Sequence, residues 1–215
     1  MYSLIVLAGG FSKRLSNVFK PLVRLKNKPL IEILLSNLNE LFKEIIIVVK
    51  YYEQKKAIEK TLHYKTNITY VLDDKLFEDG PLVAMYSGAK KAHYHKLFIT
   101  ASDYPFLSAY VVKKLLEKLS DYEAVVPIWP NGYIEPLAAS YKKMPLIKYS
   151  YEALMKGERR VRAPLNYMKT YYVNVYELTY TPEIVFHNIN TEKDLMLAEK
   201  IIEKFSVGSS PNHPS

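Results

Sequence analysis

The chain has no cysteine among its 215 residues. Disulfide staples, thiol catalysis and thiolate metal centres are therefore excluded, and an intracellular, cytoplasmic protein is the simplest expectation. No apolar run approaches the ~18 residues that a membrane span requires, so no membrane partner is expected. The opening MYSLIVLAGG has no basic stretch ahead of its apolar run, which argues against a signal peptide. Glycine is scarce, at 7 residues, and this makes the adjacent pair Gly9-Gly10 conspicuous. Neither G-x-x-x-x-G-K-[ST] nor G-x-G-x-x-G occurs, which removes two familiar glycine-rich phosphate loops. There is no long block of like charge either. The lysines are scattered, although the formal net charge is +8. Such a surface either attracts polyanions, nucleotides and phosphorylated substrates among them, or simply keeps the protein in solution.

What is present is the material of a globular domain. Hydrophobic residues make up 49% and charged residues 24%, a balance that excludes a wholly disordered chain. The length fits one generous α/β domain. Short apolar runs at Ser3–Ala8, Glu44–Val49, Ile68–Leu72, Leu97–Ala101 and Glu123–Pro127 read as buried strands. Helical spacing of apolar residues follows Pro29 and Ser108, and helices are also expected over about 53–62 and 81–93. This alternation predicts an α/β fold, a Rossmann-like mostly parallel sheet with helices on both faces. Beyond Pro127 the pattern breaks into a turn-rich, aromatic stretch over Trp129–Tyr141. A helix over Leu146–Met155, a basic turn Gly157–Arg162 and a short strand at Val173–Val175 come next. A last helix begins at Thr191, whose pairing with Asp194 suggests a cap. Its apolar stripe is Leu195, Leu197, Ala198, Ile201, Ile202 and Phe205. Residues 206–215 are expected to be a disordered tail.

In open α/β sheets ligands bind beyond the carboxyl ends of the strands. Here those ends carry Gly9-Gly10, Asp73 and Asp103. Glycines let backbone amides approach phosphate oxygens, with Arg14 and Lys20 close by to neutralise charge. An ordinary tight turn with solvated basic residues would look the same. A strand-end carboxylate suits Mg²⁺ held against phosphate, and it equally suits a turn cap.

Taken together, these features resemble the molybdenum cofactor guanylyltransferases, the MobA-type nucleotidyltransferases. The motif L-A-G-G-x-S-x-R appears as Leu7-Ala8-Gly9-Gly10-Phe11-Ser12-Lys13-Arg14, with Lys20 at the family's lysine. Lys28-Pro29-Leu30, Gly80-Pro81-Leu82, Asp103-Tyr104-Pro105-Phe106 and Glu135-Pro136-Leu137 occur in family order. So do Gly157-Glu158-Arg159-Arg160-Val161 and Asn188-Ile189-Asn190-Thr191. The resemblance covers about residues 4–200. Departures are Leu15-Ser16 for Met-Gly, Phe19 for Asp, Ser102 for Cys and Val83-Ala84 for Ala-Gly. There is also no asparagine near Lys50-Tyr51, where the family reads guanine.

The resemblance implies a single nucleotide-diphospho-sugar-transferase-like domain over residues 1–205, with a nucleotide-binding half (1–127) and an acceptor-binding half (128–205). It implies transfer of GMP from GTP to the phosphate of molybdopterin, with release of pyrophosphate. Leu7, Ala8, Gly9, Gly10, Lys20, Asp73, Gly80 and Asp103 would bind GTP. Lys20, Arg14 and Asp103 would be catalytic, with Asp103 holding Mg²⁺. Asn188, Asn190, Arg159 and Arg160 would bind the acceptor. Partners would be GTP, molybdopterin and other molybdenum cofactor proteins, with nucleic acid not expected. Two alternatives stand beside this reading. One is a related transferase for a sugar phosphate or cobinamide phosphate. The other is a non-catalytic nucleotide- or nucleic-acid-binding module, against which the joint presence of Lys20, Asp73 and Asp103 speaks.

Overall fold

The computed structural model describes residues 1–12, 18–62 and 68–207. Arg14, Leu15 and Ser16 lie outside the described residues, as does the tail from residue 208. Seven strands form one sheet: β1 (Tyr2–Leu7), β2 (Glu44–Val49), β3 (Ile68–Leu72), β4 (Lys96–Ala101), β5 (Ala124–Ile128), β6 (Ala138–Lys142) and β7 (Thr170–Asn174). Their order across the sheet is β7-β5-β6-β4-β1-β2-β3. All pairings are parallel except those of β6, which runs antiparallel to both β4 and β5. The helices are α1 (Leu30–Leu38), α2 (Tyr52–Thr61), α3 (Pro81–Lys91), α4 (Ala109–Glu117), α5 (Lys143–Met155), the short α6 (Val175–Leu178) and α7 (Pro182–Val185), and α8 (Glu192–Val207).

The first strands are apolar throughout because both of their faces are covered. Leu4, Val6 and Ala8 point to one side with Ile45, Ile47 and Val49, where α1, α2 and α4 pack. Ile5 and Leu7 point to the other with Ile46 and Val48, under α3 and α5. Each such leucine, isoleucine or valine contributes about 1.5–3 kcal/mol on full burial. Gly88 lets α3 lie close on the sheet, since a Cβ there would sit 2.5 Å from Ile5 Cγ2 and 3.0 Å from Val48 Cγ2.

Three features depart from the sequence expectation. The strand expected at Val173–Val175 runs over Thr170–Asn174, and Val175 instead opens α6, capped by Asn174. The stretch read as turns after Pro127 contains β6, a buried strand of the sheet. Its Ala138-Ala139-Ser140 carries almost no β-branched signal, so pairing on both edges imposes the conformation rather than local propensity. In α8, Leu195, Ala198 and Ile202 pack inward as expected, while Leu197 is half exposed. A step of about 100° per residue turns it off the stripe. The helix also runs through Val207, two residues into the expected tail.

Strand register brings the polar strand ends together. Leu7 stands opposite both Val48 and Ala101, and Val49 stands opposite Leu72. Four adjacent strands therefore end at one level.

Candidate active site

The residues that leave those strand ends line a cleft of about 500 Å³. Gly9 and Gly10 emerge from β1, Lys50 and Tyr51 from β2, Asp73 from β3, and Ser102 and Asp103 from β4. Backbone bonds continue the sheet outward to hold them. Ala8 N–H donates to Val48 O at 2.8 Å, Asp73 N–H to Val49 O at 3.1 Å and Ser102 N–H to Leu7 O at 3.2 Å. Asp103 and Asp73 are three strands apart, about 14 Å at the usual interstrand spacing.

Lys20 returns to the cleft by a hairpin. Phe11 and Ser12 pair antiparallel with Phe19 and Val18, and Lys20 N–H donates to Gly10 O at 3.2 Å. Phe19, where the family has aspartate, packs its ring 5.5 Å from that of Phe11. The Lys20 ammonium donates to Asp103 Oδ2 at 2.9 Å and to Asn190 Oδ1. Asp103 is buried, and its Oδ1 has no hydrogen-bond partner.

The Asn190 loop is built to reach this point. Ile189 N–H donates to the Asp103 carbonyl at 2.9 Å. The Asp194 carboxylate accepts from the amides of Asn190 and Thr191 at 3.0 and 2.8 Å, while Thr191 Oγ1 accepts from Asp194 N–H at 3.2 Å. This is the reciprocal cap that the sequence suggests.

At the other end of the cleft, burial pushes the Asp73 carboxyl up to about 6, with Asp79 adding to the effect and Lys50 opposing it. Asp73 Oδ1 is also buried without a partner. Lys50 Nζ pairs with Asp79 at 3.2 Å. Gly80 leads into α3, whose first turn carries no acidic residue. Its helix terminus therefore adds positive partial charge to the cleft wall.

Not every expected site residue joins this group. Arg159 lies against Gly80. Its guanidinium donates to the carbonyls of Leu154 and Glu158 at 3.2 and 3.1 Å, and it stands 3.9 Å from Glu78. Arg160 is exposed on the following turn. Asn188 faces a second depression of about 350 Å³, with Trp129, Tyr133, Phe186 and His187.

Glu135 lines that second depression. It is buried, and its oxygens accept from Tyr104 Oη and Trp129 Nε1, each at 2.8 Å. Burial raises its pKa, the two hydrogen bonds lower it and the charge of nearby Asp103 raises it, leaving it above the ordinary carboxylate value. The sequence offered Glu135 as part of a motif without a role. It held no sign of the part played by Lys50, which lines the cleft and pairs with Asp79.

As a metal site the arrangement is spare. Among the described residues no cluster of three His, Asp or Glu side chains could hold an ion unaided. The orphaned Asp103 Oδ1 fits Mg²⁺ nonetheless, because Mg²⁺ commonly takes one or two carboxylates and completes its shell from phosphate and water. No helix among the described residues is long and apolar enough to cross a membrane.

A strand-end cleft with a glycine loop, a returning lysine and a buried aspartate, on this sheet, is that of a nucleotidyltransferase. Comparison with known proteins makes the class narrower. Residues 4–170 match the MobA-like NTP transferase domain, and the chain belongs to that family. The probable molybdenum cofactor guanylyltransferase of Methanosarcina mazei is 34% identical over 199 residues, covering 90% of this chain and 88% of the relative. That of Thermococcus sibiricus is 32% identical over 196 residues, 89% of this chain and 94% of the relative. The crystal structure of molybdopterin-guanine dinucleotide biosynthesis protein A from Archaeoglobus fulgidus superposes with a TM-score of 0.78 at 26% identity, covering 94% and 99% of the two chains. A 4-diphosphocytidyl-2C-methyl-D-erythritol synthase from Anaerococcus prevotii shares the fold, with a TM-score of 0.72 at 17% identity over 94% of this chain and 96% of that one.

Proposed function

We propose that this chain transfers the GMP of GTP to the terminal phosphate of molybdopterin, as a Mg²⁺-dependent guanylyltransferase of the cytoplasm. The observation that carries the reading is the Lys20–Asp103 pair facing the Gly9-Gly10 loop at one level of the sheet. The names of the relatives supply the substrates.

In this reading the triphosphate lies along the Gly9-Gly10 amides and the α3 terminus. The nucleoside extends toward Asp73, across a span of about 14 Å. The volume of about 500 Å³ lies in the usual range for small-molecule sites. An acceptor phosphate oxygen attacks the α-phosphorus, a new P–O bond forms, and the bond to the bridging oxygen breaks as pyrophosphate leaves. The nucleophile is already an anion, so no general base is required. Catalysis then rests on positioning and charge neutralisation. Lys20 supports charge as it grows on the leaving group. Asp103 would hold Mg²⁺, which when bound supplies further neutralisation of the phosphate oxygens. Asn190 orients the Lys20 ammonium. The second hollow, lined by Trp129, Tyr133, Glu135 and Asn188, offers the planar acceptor a place to lie. Arg159 and Arg160 remain candidates for its phosphate.

The test is pyrophosphate release with GTP, Mg²⁺ and molybdopterin. Release that requires all three supports the reading. Release with GTP and a sugar phosphate or cobinamide phosphate, but not with molybdopterin, transfers the chain to another acceptor.

A further inference from the structure

Gln54 lies outside the cleft, yet it ties two of the cleft's walls together. It is the third residue of α2 and only 5% exposed. Its Oε1 accepts from the backbone amides of Lys50 and Tyr51 at 2.9 and 3.2 Å. Its Nε2 donates to the Gly9 carbonyl at 3.2 Å. The amide orientation is fixed by its partners, because two backbone donors face one end and a carbonyl faces the other. Glutamate could not donate to Gly9, and an aliphatic side chain could do neither.

The bond to Gly9 has a consequence for its neighbour. In a trans peptide the C=O of one residue and the N–H of the next point in opposite directions, and none of the described peptide bonds is cis. Holding the Gly9 carbonyl toward Gln54 therefore turns the Gly10 N–H away from α2. Gly10 lines the cleft and Gln54 does not. The close approach of Gly9 to Lys50, where a Cβ would meet Lys50 N at 3.2 Å, packs the same two segments together.

We infer that Gln54 is a positioning residue that sets the Gly9–Gly10 peptide so that the Gly10 amide is presented to a ligand phosphate. This rests on the guanylyl-transfer reading of the cleft. It assigns to an uncharged side chain behind the loop the orientation on which phosphate capture depends.

The experiment compares wild type, Gln54→Glu and Gln54→Met in affinity for Mg²⁺–GTP and for guanosine, together with their thermal unfolding and steady-state KM and kcat. Gln54→Glu keeps the acceptor bonds that start the helix and sets a second oxygen against the Gly9 carbonyl. Gln54→Met keeps the volume without charge or hydrogen bonds. Both should lower the ratio of GTP affinity to guanosine affinity by about tenfold or more, with KM for GTP rising more than kcat falls. A merely structural role would lower the unfolding temperature and leave that ratio unchanged in the folded protein, which would overturn the inference. A ratio lowered in Gln54→Glu alone, with folded Gln54→Met unaffected, marks a charge effect and overturns it too. Wild type that fails to bind GTP at all sinks the guanylyl reading itself, an outcome distinct from wild-type binding that the variants share.

Discussion

Lys20 Nζ and Asp103 Oδ2 meet at 2.9 Å across 83 residues of chain, and Asn190 joins them from a third segment. The pair is mostly buried, with side-chain exposures of 18% and 11%. The ammonium balances a carboxylate that would otherwise sit beside the cleft uncompensated. One oxygen of that carboxylate still lacks a partner. The site therefore holds a charge in reserve, poised between the protein's own cation and whatever the cleft receives.

Lys20→Ala should lower kcat by about 10²–10³, or roughly 2–4 kcal/mol, which is the range for loss of one preorganised stabilising group. KM for GTP should change less, because the lysine acts most on charge that develops during the reaction. Lys20→Arg should rescue poorly, since a planar guanidinium cannot occupy the position of a compact ammonium between Asp103 and Asn190. Steady-state kinetics of both variants decide the matter. An unchanged kcat in Lys20→Ala would remove the lysine from the chemistry.

Asp73 predicts a pH signature. Its carboxyl is raised from 3.8 to about 6 in the folded protein, first by burial and then by Asp79. Between those values the folded chain keeps a proton that the unfolded chain has released. Stability must therefore fall as pH rises through about 4 to 6, with the full cost present above that window. Allowing for partial exposure, the cost is about 1–2 kcal/mol. Asp73→Asn should stabilise the protein by that amount at pH 8 and by little at pH 4. Urea unfolding of both proteins at the two pH values measures it, and an equal difference at both would refute the shift.

Much of this could be read from the residues. Uniformly apolar runs such as Ile45–Val49 mark strands buried on both faces, and their polar ends mark the site. The Thr191–Asp194 cap was legible because both halves of its reciprocal bond lie within one turn. Strand β6 was not, since Ala138 and Ala139 become strand residues only by pairing between β4 and β5. The hairpin that returns Lys20 to Gly10 rests on pairing of Phe11 with Phe19, a contact that sequence spacing can suggest but not orient. Gln54 looked like one more polar helix residue. Its importance comes from burial, a tertiary property.

The Glu135 cluster should be sensitive to a single hydroxyl. Tyr104→Phe removes the donor to Oε2 and leaves a buried carboxylate that still accepts from Trp129. The expected loss is about 1–3 kcal/mol of stability. It should be larger at pH 8 than at pH 5, because losing a donor penalises the ionised form more. Glu135→Gln should be far milder. Its carbonyl can accept from Trp129 Nε1, while its amide donates to a rotated Tyr104 hydroxyl. Chemical denaturation of the two variants side by side tests the contrast, and equal losses would show that packing rather than hydrogen bonding holds the cluster.

The two adjacent glycines should answer differently to the same added methyl. A Cβ on Gly9 would stand 2.9 Å from Lys50 Cγ and 3.2 Å from Lys50 N. The side chain can move aside, but the backbone nitrogen is held by Gln54, so the loop must shift. Overpacking of this kind costs about 1–3 kcal/mol. A Cβ on Gly10 meets nothing within 4 Å, and the fold should accept it. Gly9→Ala should therefore lower both the unfolding temperature and GTP affinity. Gly10→Ala should unfold like wild type and still bind GTP more weakly, because a methyl group on the cleft face keeps phosphate from approaching the backbone closely. Calorimetric titration with Mg²⁺–GTP, run beside thermal unfolding, separates the two effects. If Gly10→Ala binds GTP as tightly as wild type, the phosphate does not lie against this loop.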